Sequence, residues 1–78
     1  MTQEDFRDLI LVRRDFDFVY RNRRFVVNAS QKSNGEMRIS FGEEYTSPKQ
    51  FDSFTHLMAD AKIDFKYLRE ILVDLEKI

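Results

Sequence analysis

There is no cysteine in this chain, and that absence removes disulfides, cysteine-based zinc sites and thiol nucleophiles. It also fits a reducing compartment, so a cytoplasmic protein is the expectation. Glycine occurs only twice, too seldom for the phosphate-cradling loops of P-loop or dinucleotide-binding proteins. No nucleophilic-serine motif is present. No apolar run approaches the roughly 20 residues that cross a bilayer. The opening residues Thr2, Gln3, Glu4 and Asp5 are polar and acidic, where a signal peptide is basic and then apolar. A membrane partner is therefore not expected. Thirteen Lys and Arg against fourteen Asp and Glu leave a net charge of −1, so bulk charge points to no polyanionic partner either.

What is present suffices for one core. With 78 residues the chain is expected to form a single small α+β domain spanning residues 1–78, and its eight Phe supply much of the apolar volume. Three runs alternate apolar and polar residues within residues 15–44: Phe16, Phe18 and Tyr20; Phe25, Val27 and Ala29; Met37, Ile39 and Phe41. Alternation of period two predicts a three-stranded antiparallel β-meander with one apolar and one polar face. Helices before and after it are expected to cover the apolar face, in the order α-β-β-β-α-α.

Side-chain parity constrains the turns. A two-residue turn at Asn22 and Arg23 pairs Tyr20 with Phe25, Phe18 with Val27 and Phe16 with Ala29. For the second turn, a two-residue loop at Asn34 and Gly35 sets Lys32 opposite Met37 on the same face. A three-residue loop of Ser33, Asn34 and Gly35 instead pairs Ala29 with Ile39 and Val27 with Phe41, with Gly35 left-handed. The three-residue loop is the expectation. On the polar face this register aligns Asp17 with Asn28 and Ser40, Val19 with Val26 and Gly42, and Arg21 with Arg24 and Glu44. Lys32 faces Glu36. Val19 and Val26 read as a cross-strand packing pair or as a small contact surface.

The flanking helices follow from capping and 3.6-residue spacing. Residues 3–13 form a helix capped by Thr2, with Asp5 completing a capping box and Phe6, Leu9 and Ile10 facing inward. Ser47, Pro48 and Gln50 look like a second helix start, with Phe51, Phe54, Leu57, Met58 and Ala61 inward. The spacing continues through Phe65, Leu68, Leu72 and Leu75. One unbroken helix over residues 48–78 would run about 45 Å, beyond the reach of a sheet about 20 Å long. Either its far half packs on a second copy, making a homodimer, or it breaks. A break at Lys62, Ile63 and Asp64 is preferred, with Asp64 capping a last helix from Phe65 that brings Leu68, Ile71, Leu72, Leu75 and Ile78 to the core.

Few residues suggest chemistry. His56, mid-helix with Asp52 and Asp60 at helical spacing, lacks a nucleophile or cleft of its own. Asp15 and Asp17 alternate along a strand without a loop to converge oxygens on a cation. No enzymatic activity and no cofactor are expected. The remaining concentration is arginine: Arg13, Arg14, Arg21, Arg23 and Arg24 fall within twelve residues. The main expectation is a non-enzymatic protein-interaction or accessory module whose partner meets Asp17, Val19, Arg21, Arg23, Arg24, Val26 and Arg38. The alternative is a nucleic-acid binder gripping phosphates with Arg21, Arg23 and Arg24. Against that alternative, the aromatic residues that could stack on bases belong to the buried face.

Overall fold

A computed structural model describes residues 1–75; the placement expected for Ile78 lies outside them. The α+β class holds, with more strands than the alternation announced. A helix α1 (Gln3–Arg13) leads into β1 (Asp15–Tyr20), β2 (Arg23–Gln31), β3 (Met37–Glu43) and β4 (Lys49–Phe51), which form one antiparallel sheet in chain order. Helix α2 (Phe54–Asp60) follows. A short hairpin of β5 (Lys62–Ile63) and β6 (Lys66–Tyr67) leads into α3 (Leu68–Ile71) and a 3-10 turn over Leu72–Asp74.

Helix α1 forms as its sequence requires. Thr2 Oγ1 accepts the Asp5 N–H at 3.0 Å, and the Asp5 carboxylate accepts the Thr2 N–H at 3.3 Å, so two otherwise orphaned donors are satisfied. Arg14 ends the helix in the left-handed conformation with φ of 61°, and its carbonyl accepts the Ala29 N–H, which starts the sheet ladder at once. Phe6 and Ile10 are buried against the sheet.

The first hairpin turns at Arg21 and Asn22 rather than at Asn22 and Arg23. Both central residues have positive φ (53° and 62°), as a two-residue type I′ turn demands. Tyr20 therefore faces Arg23, Phe18 faces Phe25 and Phe16 faces Val27. The shift is by two residues, so every side chain keeps its expected face. Its physical gain is electrostatic: the expected turn sets Arg21 opposite Arg24, and the observed one releases Arg23 to find carboxylates. The polar rows move accordingly. Asp15 aligns with Asn28 and Ser40, Asp17 with Val26 and Gly42, and Val19 with Arg24, so Val19 and Val26 are not directly opposed. The second turn is the three-residue loop, with Gly35 at φ 88° and the expected pairs of Ala29 with Ile39 and Val27 with Phe41.

The apparent helix start at Ser47 and Pro48 is overridden. Residues 49–51 are extended and add a fourth strand, with Phe51 opposite Ile39 and Lys49 opposite Phe41. An extended chain there supplies backbone partners to β3 and buries Phe51, which outweighs a local capping preference. Pro48 sits just before an edge strand, where its missing N–H costs little. Ser53 is the true cap, its Oγ accepting the His56 N–H at 3.0 Å. The break after α2 is real, but it is a hairpin. Ile63 is buried in the position the helical stripe offered to Phe65, while Phe65 stands at the hairpin tip in solvent. The last helix accordingly begins at Leu68, and Asp64 caps nothing.

The core lies between the inner sheet face and the helices. Phe18, Phe25 and Phe41 stack with centroids 5.7 to 6.2 Å apart, and Phe6 meets Phe16 and Phe18 edge-on. Leu57, Leu68, Ile71 and Leu72 close it from the helix side. Such ring pairs add about 0.5–1.5 kcal/mol each beyond area burial. Among the described residues no helix is long and apolar enough to cross a membrane.

Candidate interaction surfaces

The outer sheet face carries five of the seven expected contact residues, four of them side by side. Asp17, Val19, Arg24 and Val26 lie side by side on β1 and β2, and Arg24 Nη1 sits 3.0 Å from Asp17 Oδ2 while its Nε is 3.7 Å from Glu44. Val19 is 54% exposed beside these ion pairs, and Val26 is half-buried. Arg38 is exposed on the same face but toward the opposite end, across from Ser30.

The three hairpin arginines part company. Arg23 shares the parity of Phe25 and points to the inner side, where Nη2 and Nε reach Glu43 at 2.7 and 3.2 Å. Its Nη1 bonds both oxygens of Asp64 at 2.9 and 2.8 Å. One guanidinium fork thereby ties the main sheet to the β5–β6 hairpin. The bonds to Glu43 and then Asp64 hold Arg23 more firmly protonated than usual, and the same bond to Arg23 draws the Glu43 carboxyl below its ordinary range. Arg24 is engaged as described. Arg21 makes no ion pair among the described residues; its guanidinium lies 5.4 Å from the centroid of the Tyr20 ring.

His56 is occupied at both nitrogens. Nδ1 accepts the Asp52 N–H at 3.2 Å, Nε2 lies 2.9 Å from Asp60, and the ring rests edge-on against Phe51. It serves the junction between β4 and α2. Asp52 in turn receives Lys32 at 3.2 Å, and that bond lowers its carboxyl from the ordinary range. Among the described residues no three His, Asp or Glu side chains converge as metal ligands would. A shallow groove of about 540 Å³ opens between α1 and the start of α2, lined in part by Arg7, Leu11, Met37 and Phe54. Its polar lining also includes Glu36, Asp52 and Ser53, of which Ser53 Oγ caps α2 and Asp52 and Glu36 meet Lys32.

Two residues escaped the sequence reading. The 3-then-4 spacing runs through Phe65, expected as the first residue of the last helix, and Tyr45 carries no periodic signal at all. Both are 97% exposed. The usable hint was Asp64, since Asp tolerates the positive φ of a tight turn, here 58°. With the chain's geometry in hand, comparison with family models, curated proteins and solved structures finds no match.

Proposed function

We propose that the protein is a non-enzymatic, cytoplasmic interaction module that receives a protein partner on the outer sheet face, beside the edge of β1. The observation that carries this reading is Val19, an apolar side chain more than half exposed between charged neighbours already pinned in ion pairs. Fixed charges lose little further freedom on docking, and an exposed branched side chain gains burial. Among the described residues strand β1 has a neighbour on one side only, so a partner strand could add to it through backbone bonds. The pairing of His56 at both nitrogens supports the non-enzymatic part. A homodimer through the C-terminal helix has weaker support, because the apolar stripe it needs is interrupted by the β5–β6 hairpin.

Affinity capture from the native host with the wild-type chain and with Val19→Glu tests the reading. The same partner should be recovered by the first and lost by the second, with unchanged thermal melting. Equal recovery by both removes the outer face as the site, and catalytic turnover by the purified protein removes the non-enzymatic reading.

A further inference from the structure

Three turns meet at the end of the sheet where β1 reverses into β2. The first is Arg21 and Asn22. The second follows β3, where the Thr46 N–H bonds the Glu43 carbonyl at 3.1 Å and Tyr45 occupies the third turn position with φ of 67°. Glycine is the residue that position favours. The third is the β5–β6 tip at Asp64 and Phe65. Arg23 binds the second and third together through Glu43 and Asp64. Four of the five non-glycine residues with positive φ among the described residues (Arg21, Asn22, Tyr45 and Asp64) are in these turns. A bulky ring at positive φ that packs on nothing is strain without a return in stability, and such strain concentrates where chains bind.

At this end six cations (Arg21, Arg23, Arg24, Lys49, Lys62 and Lys66) stand against five carboxylates (Asp17, Glu43, Glu44, Asp60 and Asp64), an excess of one positive charge, and it is the carboxylates that are taken up in pairs. Glu43 and Asp64 are held by Arg23, Asp17 and Glu44 by Arg24, and Asp60 pairs with His56. Arg21, Lys49, Lys62 and Lys66 make no ion pair among the described residues. A groove of about 250 Å³ runs between the main sheet and the small hairpin, with Arg23, Lys49 and Lys62 in its walls beside Glu43, Asp60 and Asp64. Arg21 and Lys62 lie over the Tyr20 and Tyr67 rings at 5.4 and 4.6 Å, and the exposed rings of Tyr45 and Phe65 stand among these cations.

We propose that this end of the molecule binds single-stranded nucleic acid. A single strand alternates planar bases with phosphates, and this surface offers rings for the first and cations for the second. Tyr45 and Phe65 stack on unpaired bases, while Arg21, Lys62 and Lys66 meet phosphates. Duplexes are disfavoured because their bases hide their faces in the stack. The surface adjoins Val19, which lies two residues before Arg21, but its rings and cations do not depend on a protein docking at Val19.

The test is fluorescence anisotropy of labelled single strands of roughly 20 nucleotides, one DNA and one RNA, from about 50 mM salt upward, where phosphate contacts weaken as salt rises. Tyr45→Gly and Phe65→Ser should each weaken binding about tenfold, in line with the loss of one stacked base. Tyr45→Gly should melt no lower than wild type, since glycine relieves the positive φ, so lost binding there is not lost folding. Val12→Ser, at an exposed site on α1, should bind as wild type does. Four results overturn the proposal: no binding of either strand at low salt; wild-type binding by a chain carrying both Tyr45→Gly and Phe65→Ser; equal competition by duplex; or binding to phosphatidylserine-containing vesicles through these residues when oligonucleotides fail to bind.

Discussion

At one end of the four-stranded sheet, β2 reverses into β3 on Gly35, whose φ of 88° suits a residue without a side chain and around which an added Cβ would meet nothing within 4 Å. The loop there is polar, and Lys32 bridges Glu36 and Asp52 beside it. At the other end the same left-handed geometry is imposed on Arg21, Asn22, Tyr45 and Asp64, and two rings are held in solvent. The first end uses residues that suit a turn. The second tolerates strain, and it can because the Phe18, Phe25 and Phe41 stack and the Arg23 fork lie beneath it. Where stability and residue choice disagree, function is the better explanation for the residue.

The strongest way to break this contrast is to remove the support. Phe25→Ala deletes one ring of the stack under the strained turns and should cost about 3–5 kcal/mol in chemical denaturation. A cost below about 1 kcal/mol would mean the turns are held by their surface contacts alone. Gly42→Ala is next. Its Cβ would lie 3.0 Å from the Pro48 Cα, a backbone atom that cannot swing aside, and about 1–3 kcal/mol should be lost.

Opposite signs at the two ends sharpen the comparison further. Gly35→Ala should destabilise by about 1–2 kcal/mol from backbone strain alone. Tyr45→Gly should stabilise by up to about 1 kcal/mol, the relief of strain exceeding the added freedom of the unfolded chain. Matching signs in thermal melts would refute the idea that the ends differ.

The smallest expected effect is in pH dependence. Glu43 is lowered by Arg23 at the strained end, and Asp52 by Lys32 at the other. A carboxyl with a depressed folded pKa stabilises the fold above its unfolded value, about 4.3 for Glu and 3.9 for Asp, and this is lost as pH falls through the folded value. Melting temperature should therefore fall on acidification below about pH 4. Arg23→Met and Lys32→Met should each flatten part of that fall, and a wild-type profile in both variants would show that neither pair is linked to folding.

Much of the architecture was written locally. The Thr2 and Asp5 capping box, the alternation of Phe16 through Phe41 and the glycine at residue 35 depend on neighbours a few positions away, and short-range geometry admits few answers. The outer-face positions of Asp17, Val19, Arg24 and Val26 followed from strand parity. Tyr45 and Phe65 did not, because an exposed aromatic looks like a core aromatic until the fold has assigned its inside positions.

Residues 48–68 mark where local rules gave way. Ser47 and Pro48 signal a helix as well as any pair in the chain, yet β3 needed a fourth strand and Phe51 needed burial opposite Ile39. Ile63 and Phe65 competed for one inside position, and the smaller residue took it. Sequence alone determined which faces are apolar and that the second reversal turns on Gly35, since these follow from period and turn chemistry, while the first reversal fell one residue earlier than expected. Tertiary structure decided that β4 and the second hairpin exist, that Arg23 is a tie and not a free cation, and that Tyr45 and Phe65 stand outside. Those outcomes depend on which distant groups still needed a partner once the core had closed.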